Sequence, residues 1–543
     1  MSRANWGVPL ALFALSALWT WPALFTHGML GHNPDAAGTV WFVSAAPRLL
    51  FDLTDPLTGW PAGATYGRPD SFVLMVLGAL LSPIGAARAH ALLGLFGVFA
   101  SAMGAEAFAR ALGAARPWSA LAGVAFAMSG LASTALLEGY VYHVINPWLP
   151  LLGLYWWRAT RPEGRARDGA LAGLFFLLCL LSTAWLGLAA AVLVGGLFLA
   201  GLARGGLPAR AAGAALGVVA LPLGLYVAAF SAGGGDGASD LSHAGNPHHF
   251  FSFGLVRLAS APFSVDITGN SQSAVLPGVC LALLLVAPVV LRRESGWRGL
   301  ALTGAGALGL TLLPGLPLSI SADGGVGSVL LASLWRFPER LGWTFLLVAG
   351  VVGARVATVL SARMPRLASF LLVGALVDAF VLTRMPFRQR ETLATAPSAY
   401  GAHAGPVLDL WPEDIEPAPA WTLRTTNLGC AYQATHGRPI ADHCVATPGI
   451  ESPRVRLERW VLGRLLTGDI EAVRIGLGEL GFSTLMVHTD LFADGDQARL
   501  TAALAALDPA PAESTDGGER VRAYAIPLRP KADPARAWAQ WSR

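Results

Sequence analysis

Residues 31–70 read GHNPDAAGTVWFVSAAPRLLFDLTDPLTGWPAGATYGRPD. This is the first long polar break in an otherwise apolar half of the chain, and it follows a single hydrophobic run, WGVPLALFALSALWTWPALF. That run is too long for a signal-peptide core and lacks a small-x-small cleavage site, so it reads as a retained first span. Asp35 stands just past its end. A carboxylate at a membrane boundary, next to a loop long enough to hold a polar substrate, marks a functional position. These two neighbours, one apolar span and one long polar loop, set the class: a polytopic membrane protein that works at one face.

Composition agrees. Of 543 residues, 54% are hydrophobic and 13% charged, and mean hydropathy is +0.53. A soluble protein of this size carries about twice that charge. Further spans of roughly 17–25 residues are expected near 88–109, 117–135, 141–158, 168–182, 184–203, 211–230, 273–291, 297–313, 341–360 and 366–384, eleven with the first near 6–26. The apolar stretch 71–84 is short and closed by Ser82-Pro83, and reads as a helix lying in the outer interface. Arginines then collect on one side: Arg110 and Arg116, the group Arg158, Arg161, Arg165 and Arg167, then Arg204 and Arg210, Arg292, Arg293 and Arg298, and Arg363 and Arg366. Positive residues stay on the cytoplasmic side, so the N-terminus is expected inside and the C-terminus outside. The outer loops are then 27–87, 136–140, 231–272 and 314–340, all longer or more polar than their inner counterparts except the short second one. The net charge of +4 is small and sits in these loops, which argues for topology signals and against nucleic-acid binding.

After Pro386 the pattern changes. VLDLW (407–411), FSTLMVH (482–488) and RVRAYAIPL (520–528) read as strands; RVRLERWVLGRLL (454–466) and QARLTAALAAL (497–507) read as helices. The expected organisation is a transmembrane domain over 1–385, with its first outer loop at 27–87, and a small extracytoplasmic α/β domain over 386–543. No glycine-rich run carries the residues of a phosphate-cradling or dinucleotide motif. Cys179 and Cys280 lie in apolar runs. Cys430 and Cys444 lie in the polar tail, where they form either a disulfide or two free thiols. His243, His248 and His249 could meet Asp236, Asp240 or Asp266, but their spacing matches no tight ligand pattern, so no metal site is assigned.

Several segments in order resemble the GT-C class of integral membrane glycosyltransferases, and within it a bacterial YfhO-like multispan group. They are Asn33-Pro34-Asp35 followed by Tyr66-Gly67-Arg68-Pro69; Glu138-Gly139-Tyr140 through Asn146-Pro147-Trp148-Leu149-Pro150; Leu334-Trp335-Arg336-Phe337-Pro338-Glu339-Arg340; and Tyr432-Gln433-Ala434-Thr435-His436-Gly437-Arg438-Pro439. The short second outer loop departs from the group by placing Glu138 where a His is usual. The resemblance implies a mostly α, GT-C-like membrane fold in the bacterial cytoplasmic membrane, a polyprenyl-phosphate-linked sugar donor, and a glycan, lipid or protein acceptor at the outer face. It also implies an essential acidic residue in the first loop, carried onto Asp35.

Around Asp35 the residue chemistry nominates partners. Arg336 and Arg340 offer planar guanidinium forks that match phosphate oxygens, with Arg68 and Arg257 as further phosphate contacts. Glu138, His143, Glu339 and Trp335 are candidate acceptor or secondary contacts, Trp335 as a stacking face. A divalent Mg or Mn ion shared by Asp35 and the donor phosphate is the natural choice of cofactor if one is used. His436, Arg438, Asp442 and His443 lie between the two tail cysteines and read as a pinned loop or an acceptor contact. Asp52 and Asp55 read as turn residues. Two other functions fit a polytopic chain. A transporter or flippase of a lipid-linked glycan would want charges inside the spans, of which there are few, Glu106 near a cytoplasmic end and Asp378 in the last span, and no inverted repeat is evident. A non-catalytic envelope-assembly scaffold would use the tail domain.

Overall fold

The structure is a computed structural model. It describes residues 6–21, 23–24, 28–31, 34–52, 54–65, 71–202, 208–232, 278–294, 297–312, 341–383, 385, 392–393, 396–411, 422–442, 444, 453–489, 494–516, 520–529 and 533–541. Among these the helices are α1 (Gly7–Trp19), α2 (Pro34–Leu49), α3 (Phe72–Leu81), α4 (Ala86–Ala111), α5 (Ala120–Ala127), α6 (Gly130–Glu138), α7 (Val141–Val144), α8 (Trp148–Ala159), α9 (Ala166–Ser182), α10 (Ala184–Leu202), α11 (Ala209–Ala232), α12 (Gly278–Val290), α13 (Trp297–Leu312), α14 (Gly342–Ser361), α15 (Pro365–Thr383), α16 (Thr422–His436), α17 (Pro453–Leu466), α18 (Ile470–Glu479), α19 (Asp494–Leu507) and α20 (Pro534–Trp541). The strands are β1 (Gly28–Met29), β2 (Thr54–Asp55), β3 (Ala64–Thr65), β4 (Thr392–Leu393), β5 (Val407–Leu410), β6 (Thr484–His488), β7 (Ala512–Ser514) and β8 (Val521–Ala525). The chain divides into two compact units. One gathers Met1–Pro22, Asp70–Leu74 and Leu92–Arg390; the other gathers Ala23–Pro69, Met75–Ala91 and Glu391–Arg543.

The first unit is helical and apolar. A helix occupies each of the eleven stretches named from sequence. Among the described residues three helices, Ala86–Ala111, Trp185–Leu202 and Gly342–Ser361, are long and apolar enough to cross a membrane, and the bent pair α5 and α6 would make a fourth, fewer than the eleven spans expected from sequence. The bend, 44°, was not foreseen in the run 117–135. Ser129 causes it: its hydroxyl caps α6 by accepting from Ala132 N (3.3 Å) while donating to Phe126 O (3.0 Å), which starts a new helix where the old one ends. The run 141–158 is likewise split into α7 and α8 at Asn146-Pro147, because proline removes a helical donor. The closely spaced pair 168–182 and 184–203 turns at Thr183, which is extended (φ −159°) and caps α10 by accepting from Leu186 N (3.1 Å). α9 and α10 then pack on each other.

α14 is the spine of this unit, with 15 of its 20 residues buried from Gly342 to Ala357. It meets α5, α12, α13 and α15. Close approach relies on small residues: a Cβ on Gly123 would lie 2.8 Å from Ala102 O, and one on Gly350 would lie 2.9 Å from Ala125 Cβ. Helices in lipid associate by such backbone contact because lipid offers no hydrophobic drive between them. Buried Glu106 is held by Arg116 Nε (3.0 Å) and Ser119 Oγ (3.0 Å), and Glu294 by Arg355 (2.7 and 3.0 Å). Glu106 is therefore committed to an ion pair.

The second unit is a three-layer α/β body. Its sheet has the order β5-β6-β8-β7, with β5 parallel to β6 and the rest antiparallel. The strands foreseen at 407–411, 482–488 and 520–528 are present, as are the helices at 454–466 and 497–507. Alternate strand residues face opposite sides. Leu408, Leu410, Leu485 and Val487 pack against α17, α18 and α19 through Leu457, Val461, Leu477 and Leu504. Val407, Met486, Val521 and Ala523 pack against Trp41, Ala45, Ala46 and Leu49 of α2 and Cys430 and Tyr432 of α16. One layer of the α/β body thus comes from the 31–70 stretch, some 350 residues before β5. The hairpin β2–β3 follows it there: Ile440 N donates to Leu57 O (2.9 Å), Trp60 N to Ile440 O (2.9 Å), and Gly59 N to Asp442 O (2.7 Å).

Candidate active site

Asp35 is the second residue of α2. The chain enters this helix from β1, which is tied to β4 by the pairs Gly28↔Leu393 and Met29↔Thr392. Pro34 opens the helix, a position where its fixed φ and missing N–H cost nothing. The first turn of a helix is where backbone N–H groups and the helix dipole favour negative charge, so the local backbone suits an acidic residue.

The rest of α2 is firmly seated. Ala36, Ala37 and Val40 pack with Met29 and with Ala431 of α16. One turn on, the buried Trp41 indole donates to Gln433 Oε1 of α16 (3.1 Å). At the far end Arg48 grips Asp55 through two bonds (3.1 and 2.9 Å), and Asp55 also accepts from Leu57 N (3.1 Å). Asp55 is fully buried and Asp52 accepts from Thr54 N (2.9 Å), so both serve the turn, as their sequence context indicates.

The element Tyr432–Pro439 explains itself here. Gly437 ends α16 with φ +68° and donates to Gln433 O (2.8 Å), the left-handed cap that glycine adopts without strain. Arg438 N donates to His436 Nδ1 (3.0 Å), and the Arg438 guanidinium donates to Gly405 O (2.7 Å), Tyr400 O (2.7 Å) and Thr484 Oγ1 (2.6 Å). Burial pushes His436 down to about 4, with the neighbouring Arg438 charge adding to the effect and Asp409 opposing it. The His436 ring stacks on Tyr400 (4.8 Å, 12°). Cys430 and Cys444 are joined by a disulfide (S–S 2.04 Å), which ties α16 to the segment that follows Asp442.

Beneath α16 lies a closed polar cluster that no spacing in the sequence announces. Tyr400 OH donates to Asp409 Oδ1 (2.5 Å) and meets His488 Nε2 at 3.3 Å, and His488 lies flat against Trp411 (3.6 Å, 13°). Asp409 and His488 are buried at 1% and 0% exposure, so this cluster fastens the sheet and is closed to substrate. Trp41 and Gln433 were also missed; the only signal was the motif containing Gln433.

In the helical unit, Glu138 is the last residue of α6, ended by Gly139 at φ +78°. His143 sits in the one-turn α7, 3% exposed, against the rings of Tyr140 (5.7 Å) and Tyr142 (4.6 Å). Asn146 N donates to Ser101 Oγ (3.1 Å), which donates to Val144 O (3.1 Å). The Asn146 amide is fully buried, and among the described residues neither of its polar atoms has a hydrogen-bond partner. Arg68, Arg257, Trp335, Arg336, Glu339, Arg340, His243, His248 and His249 lie outside the described residues. Among the described residues no group of three or more His, Cys, Asp or Glu side chains is placed to hold a metal ion. A cavity of about 410 Å³ between α1, α5 and α15 is lined by apolar residues and Arg116, and touches none of the candidate residues.

The described residues form a bundle of apolar helices and an α/β body assembled partly from the loop after the first span. Solved structures share this architecture. The arabinofuranosyltransferase AftD from Mycobacteria aligns with 97% of this chain at a TM-score of 0.58 and 16% identity, and a mutant form of AftD aligns with 98% at 0.55 and 16%. ArnT from Cupriavidus metallidurans, bound to undecaprenyl phosphate, aligns with 96% at 0.46 and 12%. This chain spans 40% of the length of AftD. No family model matches the chain, and no curated protein matches it in sequence. At these identities the likeness is one of fold.

Proposed function

We propose that the chain is a membrane glycosyltransferase that moves a sugar from a polyprenyl-phosphate donor to an acceptor hydroxyl at the outer face of the bacterial cytoplasmic membrane. The observation that carries this reading is the likeness to AftD along 97% of the chain, combined with the position of Asp35 at the start of the helix that follows the first span. The acceptor oxygen forms a bond to the anomeric carbon as the bond from that carbon to the phosphate oxygen breaks. The electron pair of the broken bond leaves with polyprenyl phosphate. Asp35 takes the acceptor proton as general base, and Arg336 and Arg340 stabilise the charge growing on the departing phosphate. A Mg or Mn ion, where used, would neutralise part of that charge beside Asp35. Glu138 and His143 contribute to the acceptor side. Eleven spans with the N-terminus inside place the first loop and the tail domain together on the outer face, in keeping with the arginine distribution.

The test is transfer of labelled sugar from undecaprenyl-phosphate pentose and hexose donors in proteoliposomes. Asp35→Asn is expected to slow it by roughly 10²–10⁴ while donor binding persists. Unchanged transfer by Asp35→Asn would end the mechanism.

A further inference from the structure

The α/β body and α2 form one packed object, and the contacts between them converge on α16. Cys430, Ala431 and Gln433 lie within one turn of that helix. Cys430 is cross-linked to Cys444, Ala431 packs on Ala36, Ala37 and Val40, and Gln433 receives the Trp41 indole at 3.1 Å. The same α16 is capped by Gly437 and clamped to β6 through Arg438 and Thr484. Small side chains at Ala36, Ala37 and Ala431 allow the two helices to approach closely, and Trp41 and Gln433 are both within 1% of full burial. A buried hydrogen bond between a long indole and a long amide fixes the rotation and the slide of one helix on the other, because leaving either group unpaired is costly.

We propose that α16, through Gln433 and the Cys430–Cys444 cross-link, is a positioning brace for α2, so that the tail domain serves the transfer step by holding the helix that carries Asp35. This rests on the glycosyl-transfer reading above. It assigns the Tyr432–Pro439 element a mechanical role in place of acceptor contact. The lever is short. Asp35 precedes Trp41 by six residues, about 9 Å along the helix axis at 1.5 Å per residue. A tilt of about 5° around Trp41 moves the Asp35 backbone by about 0.8 Å, and a misplacement of that order costs a positioned catalytic group up to about 100-fold in rate.

The experiment uses the full chain in nanodiscs with two readouts: amide hydrogen exchange along α2 from Gly38 to Val43, and steady-state turnover of undecaprenyl-phosphate pentose and hexose. Gln433→Met keeps the volume and removes the acceptor. It is expected to speed α2 exchange about ten-fold and lower kcat about ten-fold, with the donor KM within two-fold of the parent. Reduction of Cys430–Cys444 in the unaltered chain is the second perturbation, with the same expected direction. Arg464→Ala, an exposed change on α17 at the opposite face of the sheet, should change neither readout. Parental α2 protection in both Gln433→Met and the reduced protein overturns the brace. A raised acceptor KM with unchanged kcat also overturns it, in favour of acceptor binding by this domain. Absence of turnover in the parent on every donor refutes the transfer reading instead, while the exchange readout still decides whether α16 braces α2.

Discussion

Acidification should loosen the second unit through His436, and the size of the effect follows from its surroundings. The ring accepts a hydrogen bond from Arg438 N at 3.0 Å and stacks on Tyr400. Protonating Nδ1 breaks the first contact and sets a cation beside a guanidinium. The folded pKa, about 4, lies below the value of about 6.5 for an exposed histidine. The unfolded chain therefore binds more protons between pH 4 and 6.5, and stability falls as pH falls through that window. Linkage between pH 8 and pH 5 gives a loss of about 2 kcal/mol, a factor of about 30 in the opening equilibrium. Solvent screening of the partly open ring trims this to between about ten- and thirty-fold. Hydrogen exchange of α16 and β6 amides at both pH values measures it, corrected for intrinsic exchange rates. His436→Phe keeps the stacking and cannot titrate, so its pH dependence should be shallower than the parent's by that factor. Equal pH dependence in the two proteins would refute the argument, since every other titrating group is common to both.

Other outcomes can be checked with standard assays. Asp35→Asn should lower kcat by roughly 10²–10⁴, the range for loss of a general base, with expression and thermal stability unchanged. Asp55→Ala strands Arg48 beside a buried turn and should cost about 3 kcal/mol, read as a lower thermal midpoint with loss of the Gly59 and Trp60 contacts to 440–442. Gly123→Val should drive a side chain into Ala102 O, 2.8 Å from an added Cβ, and destabilise the bundle by about 1–3 kcal/mol, seen as reduced recovery from membranes. Glu106→Gln should weaken the ion pair with Arg116 and lower detergent stability while leaving transfer intact; a transport defect without a stability change would revive the flippase alternative.

Much of the fold is a matter of local pattern. Runs of apolar residues announce helices for the membrane, since backbone groups in lipid must be satisfied within the segment, and every such run is helical here. Alternation marked three of the four strands of the main sheet, because a pleated strand shows its two faces to different surroundings. What escaped were breaks made by single side chains, such as Ser129, and helices whose apolar pattern is weak. α16 is one: its residues are mostly polar, and it is helical because the body around it buries Cys430, Ala431 and Gln433.

From its residues alone the chain declares a membrane-embedded helical protein with a polar loop after its first span, an α/β tail, and Asp35 as the acidic residue to watch. Hydropathy and periodicity are properties of neighbours in sequence, and they are legible without a partner. Tertiary structure alone decided that the loop and the tail form one body, that Trp41 answers Gln433 across 392 positions, and that the Tyr432–Pro439 element is a cap and clamp. Those contacts join residues whose proximity no local pattern encodes, because it arises only when distant segments bury the same face of one sheet.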